Sequence, residues 1–316
     1  MTRRTYWHLA ELGRRPNDYD IATSELLYYV ARGFAVEVPI AGWYRTYQAG
    51  SALASHDWER FRDPRETTYS KYVELQRTKE AFVDGVLAAA EDAGHDHRLD
   101  PAWRATLAAI ISPLRYPVHG LQMVAAYAGH MAPSGRIAVA AALQGADESR
   151  RIERLAYRVR ELQRLGVDVD GRDVWERDPT WQPLRALIER LLVTYDWGEA
   201  IVALTCVVKP RFDALFVAQL GELARRAGDD VFGNVVFSLG EDARWHAAWS
   251  RALVEHALEQ PGNHAVLAGW LATWTPPAQR AIAAFAPVFG PGAPAAVEAA
   301  WSAWATSAGL VAPEAR

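Results

Sequence analysis

One cysteine, Cys206, stands in a chain of 316 residues. It excludes an intramolecular disulfide and any cysteine-clustered metal site, and it fits a reducing compartment. Long apolar runs are missing too. The apolar stretches are broken by Arg115, Pro117, Lys209 or Arg211 before reaching the roughly 20 residues a membrane-spanning helix needs. The start, Met1-Thr-Arg-Arg-Thr-Tyr-Trp-His8, carries two arginines with no apolar run behind them, so it does not read as a signal peptide. The expectation is a cytoplasmic protein. Nor is there an excess of charge of one sign. The 34 basic and 38 acidic residues leave a net charge of -4 at pH 7 with no Lys/Arg block, which removes the electrostatic case for nucleic acid or an anionic membrane as partner. No strand-period run, repeat of about 20 to 50 residues, G-x-S-x-G or Walker loop occurs.

What is present is an apolar half, 50% of the residues, sufficient for one large helical core or two modest ones. Aromatic residues are abundant, with 13 Trp, 12 Tyr and 9 Phe. Such rings are enriched in protein interfaces and also fill bulky monomer cores, and composition alone leaves both readings open. Many fall early in the chain: Tyr6, Trp7, Tyr19, Tyr28, Tyr29, Phe34, Trp43, Tyr44, Tyr47 and Trp58 are scattered among Pro16, Gly33, Pro39, Gly42 and Gly50. Residues 1–62 therefore read as an extended aromatic arm that needs a surface to lie on, either its own helical body or another chain.

Helical order follows. Asp63-Pro64-Arg65-Glu66 predicts a capped helix start, with Tyr69, Tyr72, Val73, Val83, Val86, Leu87 and Ala90 marking one face as far as Gly94. Asp100-Pro101 opens a shorter helix, and a further apolar stretch runs from Tyr116 to Met131. Ser134 caps a long helix that reaches Gly166. Residues 167–183 read as a connection, followed by a helix through Leu184 to Leu192. Asp196-Trp-Gly-Glu199 predicts a second capping box, opening a helix from Trp197 to Arg226 kinked by Pro210. Gly228-Asp-Asp230 turns the chain into another long helix, and beyond Pro261-Gly262 the spacing predicts short helices split by Pro276-Pro277 and Pro291. Four long helices with one long connection between the second and third make an all-α, ferritin-like bundle over residues 63–260, with short C-terminal helices over 261–316.

Bundles of this plan can hold two irons with one Glu from each of two helices and a Glu-x-x-His from each of the other two. The required side chains are mostly absent. Glu148 is followed three residues later by Arg151, and His246 is preceded three residues earlier by Ala243. Guanidinium has no lone pair to give, and a methyl group ligates nothing. There is no Asp or Glu between Asp100 and Asp147, and the polar residue expected level with His246 on the preceding helix is Lys209. Only Glu148 and His246 remain, too few for a di-iron site, with Arg151 and Lys209 able to neutralise the surviving carboxylate. Weaker pairs read as structural: Glu91 and His95 as solvated groups at a helix end, His119 and His130 as satisfied core histidines, and Cys206 as a small buried residue.

Short blocks along nearly the whole chain carry a family resemblance. They include Tyr6-Trp-His-Leu-Ala-Glu11, Arg15-Pro-Asn-Asp-Tyr-Asp20, Asp57-Trp-Glu-Arg-Phe-Arg-Asp-Pro64, Ser112-Pro-Leu-Arg-Tyr116, Asp196-Trp-Gly-Glu-Ala200, Val207-Val-Lys-Pro210 and Pro261-Gly-Asn-His-Ala265. The chain resembles the β subunits of bacterial multicomponent, toluene-type di-iron monooxygenase hydroxylases. The resemblance implies a ribonucleotide-reductase-like bundle that does no chemistry itself and holds no cofactor, beside an α subunit carrying the di-iron centre. It further implies a hexamer of two αβγ units, an effector protein and a Rieske ferredoxin docking on the complex, and NADH as electron source through a reductase. The substrate implied is a small aromatic or alkene. The arm would then cover α, with Trp7, Tyr19, Trp43, Tyr44 and Trp58 as anchors by residue type. The rival expectation is a free-standing oxidase or binding protein with a mononuclear metal site rebuilt around Glu148 and His246.

Overall fold

The computed structural model describes residues 6–24, 26 and 39–312. Tyr28, Tyr29 and Phe34 of the aromatic arm lie outside them. Every regular element among the described residues is helical. Two helical hairpins form the body. The first joins α5 (Pro101–Met131) to α6 (Gly135–Arg164) through a three-residue turn that leaves no choice but antiparallel packing. Ser134 caps α6, its hydroxyl accepting from the Arg136 N–H at 3.1 Å, as the sequence predicts. The second hairpin joins α9, which runs from Trp197–Val202 to Leu220–Arg226, to α10 (Asp230–Leu258), whose N-cap Asp229 accepts from the Phe232 N–H. The long connection carries α7 (Gly171–Arg177) and α8 (Gln182–Leu192), so part of what reads as a plain connection is helical. Around the hairpins lie α1 (Asp18–Thr23), α2 (Pro39–Tyr44), α3 (Tyr69–Asp92), α4 (His95–Arg98), α11 (Asn263–Ala283), α12 (Ala286–Phe289) and α13 (Ala293–Ser307).

Several helix limits differ from the sequence expectation, each for a local reason. The helix expected at Asp63-Pro64 begins at Tyr69 instead. Asp63 accepts from the Arg65 and Thr67 N–H groups at 2.9 Å each and closes a turn, and Glu66 sits at φ 47, a left-handed backbone that interrupts any helix. Thr68 supplies the cap. The two pieces expected over 101–131 are one helix through Pro113 and Pro117. Both prolines are buried between apolar neighbours from Leu107 to Met131, and that packing outweighs the roughly 3 kcal/mol propensity cost of an interior proline. Pro276 and Pro277 likewise lie inside α11 rather than splitting it. At Asp196 only half of the capping box forms. Asp196 accepts from the Glu199 N–H at 2.8 Å, whereas the Glu199 carboxylate accepts from Trp274 Nε1 at 2.9 Å.

Helix α9 is not simply kinked at Pro210. Two π-helical segments, Ala203–Val208 and Ala214–Gln219, flank the α-helical turn Lys209–Asp213. The carbonyl of Cys206 lies four residues before Pro210, which has no N–H to give it, and Trp301 Nε1 of α13 donates to it at 2.8 Å. Arg211, buried beside it, stacks on Trp301 at 3.8 Å and pairs with Glu298 at 2.7 Å. The last helix thus supplies the groups that the irregular helix lacks.

The apolar core is divided into two clusters. One holds Leu155, Leu162, Val235, Val236 and Leu239 with Leu107 to Leu121; the other holds Ile137, Leu143, Trp245, Trp249, Trp197 and Ile201, together with Leu53 and Phe61 from the segment before α3. Along α6 the residues between Leu143 and Leu155 include buried Asp147, Glu148, Arg150 and Arg151, and along α10 the residues between Leu239 and Trp249 include buried Asp242 and His246. A charged layer therefore crosses the bundle between two apolar ones.

Close backbone approaches set the packing of the hairpins. A Cβ on Gly171 would lie 2.4 Å from the Ser112 carbonyl oxygen of α5, so Gly171→Ala should lower stability by about 1–3 kcal/mol in thermal or urea denaturation. Gly85, exposed in mid-α3 with nothing within 4 Å of its would-be Cβ, is the contrast: Gly85→Ala should stabilise by about 0.5–1 kcal/mol.

Candidate functional site

The charged layer is built from three helices. Glu148 and Arg151 are one turn apart on α6, Lys209 and Asp213 are one turn apart on the α-helical turn of α9, and His246 lies on α10. Lys209 Nζ stands 2.8 Å from Glu148 Oε1 and 2.6 Å from Asp213 Oδ2. Arg151 Nη1 stands 2.8 Å from Asp213 Oδ1 and 3.5 Å from Glu148 Oε2. Two carboxylates are therefore each shared between the same two cations, and the charges cancel. Glu148 is fully buried, Lys209 is 3% and Arg151 4% exposed, so this cancellation takes place away from water.

His246 completes the layer from the other side. Its Nε2 is 2.9 Å from Asp147 Oδ2, and its Nδ1 is 4.0 Å from Glu148 Oε1, beyond hydrogen-bond reach. The other Asp147 oxygen accepts from Tyr72 Oη at 2.8 Å and Gln76 Nε2 at 2.6 Å, both on α3. Gln76 also donates to Asp242 at 3.0 Å, and Asp242 is held by Arg150 at 2.7 Å and by Lys79. Ala243 contributes no polar atom and lies in the wall of a cavity beside the layer.

Ionisation follows the same geometry. Burial opposes the charge on Asp213, but the Lys209 and Arg151 cations outweigh it and bring the carboxyl down to about 2. Burial works against the Arg151 charge as well, and the Glu148 and Asp213 carboxylates more than compensate, raising its pKa. Asp242 is lowered by Lys79 and Arg150 against the opposing effect of burial, and burial beside Asp147 raises the Tyr72 phenol. Burial outweighs the lowering effect of the adjacent Thr205 hydroxyl and pushes the Cys206 thiol up to about 12, which makes it an inert core residue.

Among the named residues, the structure brings Glu148, Arg151, Lys209 and His246 together, with Ala243 beside them. Sequence reasoning missed Asp213, Asp147, Asp242, Gln76, Lys79 and Arg150. Asp213 was signalled by its spacing of four from Lys209 on a helix, and Gln76 and Lys79 by being polar on the inner side of a helix read only for its apolar face. Other expectations are corrected. His95 is not simply solvated: its Nε2 lies 3.3 Å from Oδ1 of Asp229, a fully buried carboxylate that also accepts from Trp103 Nε1 and Arg158. His119 and His130 are exposed on the outer face of α5 rather than in the core, where they meet Gln122 at 2.8 Å and the Tyr44 hydroxyl at 3.2 Å.

The five aromatic positions expected as anchors divide. Tyr19 is 2% exposed and its hydroxyl accepts from the Asp63 N–H at 3.1 Å, so both ring and hydroxyl are used within this chain, and it has no surface to offer a partner. Trp43, Tyr44 and Trp58 are half-buried on the chain's own body: Trp43 Nε1 donates to Tyr127 Oη at 3.1 Å, Tyr44 Oη donates to the His130 carbonyl at 3.0 Å, and the Trp58 ring lies 5.2 Å from that of Trp197. Trp7 is 76% exposed.

Residues 43–261 match the methane/phenol/alkene hydroxylase family. This chain belongs to that family. It is 38% identical, over 89% of both chains, to the hydroxylase component subunit beta of the toluene-4-monooxygenase system of Ectopseudomonas mendocina. It is 25% identical to the hydroxylase component small subunit of propane 2-monooxygenase from Rhodococcus jostii, over 81% of this chain and 72% of that one. A chain in a structure of toluene 4-monooxygenase with toluene in the resting active site superposes with a TM-score of 0.86 at 37% identity, covering 90% of this chain and 97% of that chain. A chain of phenol hydroxylase from Pseudomonas sp. OX1 superposes at 0.87 with 20% identity, over 98% and 96%, which speaks for the fold.

The residues of this family member do not fit a di-iron centre. The Glu148 oxygens face an ammonium and a guanidinium, Ala243 and Arg151 carry no lone pair, and among the described residues no group of three or more His, Cys, Asp or Glu is placed to hold a metal ion. Nor, among the described residues, is any helix long and apolar enough to cross a membrane.

Lys209→Met leaves two buried carboxylates with one cation and should cost about 3–5 kcal/mol in urea denaturation; combining it with Glu148→Leu restores the charge balance and should recover part of that loss. Because the folded-state pKa of Asp213 lies below its unfolded value of about 3.9, its stabilising contribution is fully present above that pH and disappears as pH falls through about 2. A stability profile from pH 6 to pH 2 should therefore fall, and Asp213→Asn should flatten that acid limb.

Proposed function

We propose that this chain is the non-catalytic β subunit of the hydroxylase component of a di-iron monooxygenase that hydroxylates or epoxidises small aromatic or alkene hydrocarbons with O2 and NADH-derived electrons. The observation that carries the reading is the pair of cations, Lys209 and Arg151, bridged by Glu148 and Asp213 where the bundle would otherwise present ligands to metal. A centre filled in this way cannot accept electrons or activate oxygen, yet the bundle around it is kept nearly in full. The 38% identity to a hydroxylase β subunit, sustained over 89% of each chain, supports the same assignment.

In this reading the di-iron centre resides in an α subunit, and the chain packs with α and γ in a hexamer of two αβγ units on which an effector protein and a Rieske ferredoxin dock. Residues 1–62 serve subunit contact, residues 63–260 form the metal-free bundle, and residues 261–316 buttress it. Trp7 keeps most of its ring surface for such a contact, since an exposed indole is an apolar body with a polar handle. Trp43, Tyr44 and Trp58 offer only their outer edges.

The test is purification of this chain alone and in complex with an α chain encoded beside it, with iron and zinc measured in both. Iron is expected only in the complex, and hydrocarbon oxidation only when α is present. Stoichiometric metal in the isolated chain, lost on His246→Ala, would support the rival mononuclear site instead, and failure to co-purify with α would overturn the subunit assignment.

A further inference from the structure

The fixed charges of the layer leave one carboxylate over. Lys209 and Arg151 answer Glu148 and Asp213, and Lys79, Arg150 and Arg154 answer Asp242, Glu80 and Asp84. Arg65 acts on both Asp63 and Asp147, but its guanidinium stacks on Trp245 at 4.1 Å, its Nε donates to Thr67 Oγ1 at 3.0 Å, and among the described residues it forms an ion pair with neither. Lys71 is exposed and donates to the Arg65 carbonyl. One cation thus faces two buried carboxylates. Asp63 is met by two backbone N–H groups and by Trp245 Nε1, and Asp147 by Tyr72, Gln76 and His246. A buried charge left unmatched is costly, and of these partners His246 is the base that can take up a proton.

A proton that closes this balance has two places to sit at the Asp147–His246 contact, and the surroundings favour the ring. Asp147 Oδ1 accepts from Tyr72 Oη at 2.8 Å and Gln76 Nε2 at 2.6 Å, and accepted hydrogen bonds hold a carboxyl in its ionised form. The buried ring of His246 turns both nitrogens toward carboxylates, Nε2 at 2.9 Å from Asp147 Oδ2 and Nδ1 at 4.0 Å from Glu148 Oε1. Nothing beside it offers a proton to a lone pair on Nδ1: Thr205 donates to the Ile201 carbonyl at 2.7 Å and Ser250 to the His246 carbonyl at 2.6 Å. From α9, Lys209 and Asp213 line the same cavity as the ring, and both are already matched within the group formed with Glu148 and Arg151.

We propose that His246 is an imidazolium in the folded chain at neutral pH, a third tethered cation that ties α10 to Asp147 and Glu148 of α6, and that loss of its proton is a built-in release of that tie. Lys209 and Arg151 cannot serve as the release, because ammonium and guanidinium do not change charge near neutrality, whereas imidazole does. The cavity of about 420 Å³ that His246 lines is also lined by exposed Phe237 and Arg244, which gives the proton a route to solvent. A histidine charged in the fold and ordinary in the unfolded chain contributes its full stabilisation below about pH 6.5 and loses it as pH rises through the folded-state midpoint. The device lies wholly within this chain, so its failure would leave the subunit assignment untouched.

The test is nitrogen NMR of the full chain isotopically labelled at its histidines, with the His246 signals assigned by their loss in His246→Gln or, should that variant fail to fold, in His246→Asn. At pH 7.5 both ring nitrogens of His246 should carry protons, where an ordinary histidine is about nine-tenths neutral. In Asp147→Asn, which removes the surplus carboxylate, the His246 titration midpoint should fall by about one pH unit or more. Urea denaturation between pH 6 and pH 9 should show stability declining for the unaltered chain and a flatter profile for His246→Gln. A neutral His246 ring at pH 7.5, or a midpoint that Asp147→Asn leaves in place, would overturn the proposal. Should Asp147→Asn not fold, the protonation of His246 in the unaltered chain decides it alone.

Discussion

A charge taken out of water must be matched where it lies, and the layer crossing this bundle is organised by that requirement. Glu148 cannot be left alone at full burial, and the residues around it are arranged as its answer. Lys209 and Arg151 approach from α9 and α6, and because two cations would overcompensate one carboxylate, Asp213 is placed one helical turn from Lys209 to meet both. The regular turn Lys209–Asp213 matters for this reason. Its α-helical spacing puts the two side chains on one face, while the π segments on either side absorb the register change that Pro210 imposes. The C-terminal helix in turn satisfies the carbonyl freed by that irregularity.

The same demand spreads outward. Asp147 and Asp242, one on each of two facing helices, are joined through Gln76, and α3 is bound to the bundle by Tyr72, Gln76 and Lys79 as much as by apolar contact. Toward the other end of the bundle, Asp229 repeats the device on a smaller scale: it caps α10 and gathers Trp103, His95 and Arg158. Buried carboxylates act here as junctions between elements that sequence distance keeps apart. Apolar packing supplies the bulk of the driving force, but the junctions specify which faces meet.

The bundle plan was legible because α6 and α10 read as long helices with an apolar face, one opened by the Ser134 cap and the other by the Gly228-Asp-Asp230 turn, signals that depend only on neighbours in sequence. The replacements of metal-binding side chains were legible for a related reason: Arg151, Lys209 and Ala243 fall at spacings that a helix fixes. What stayed hidden was tertiary. Pro276-Pro277 read as a break and residues 101–131 as two pieces, yet packing carried both helices through their interior prolines. Asp63-Pro64-Arg65-Glu66 has the composition of a helix start, but the Asp63 side chain closes a turn and accepts from Trp245 Nε1, a partner that lies 182 residues away. Tyr19 looked like an interface ring by type and proves to be core by position, because residue type records what a side chain can do and only the fold records where it is used.

A metal ion and a protonated side chain can both neutralise a cluster of carboxylates, but they differ in permanence. A bound ion exchanges, depends on supply and, for iron, changes charge with oxidation state. Lys209 and Arg151 are tethered to the backbone, so the layer they neutralise holds α6 and α9 together whatever the metal supply or redox state. A layer neutralised in this way keeps the spacing of α6 and α9 fixed without the exchange of an ion. This permanence also explains why the loss of ligands need not loosen the bundle: each missing ligand at Arg151 and Lys209 was exchanged for a charge of the sign the remaining carboxylates require. At Ala243 no charge was needed, and there the structure is left with space.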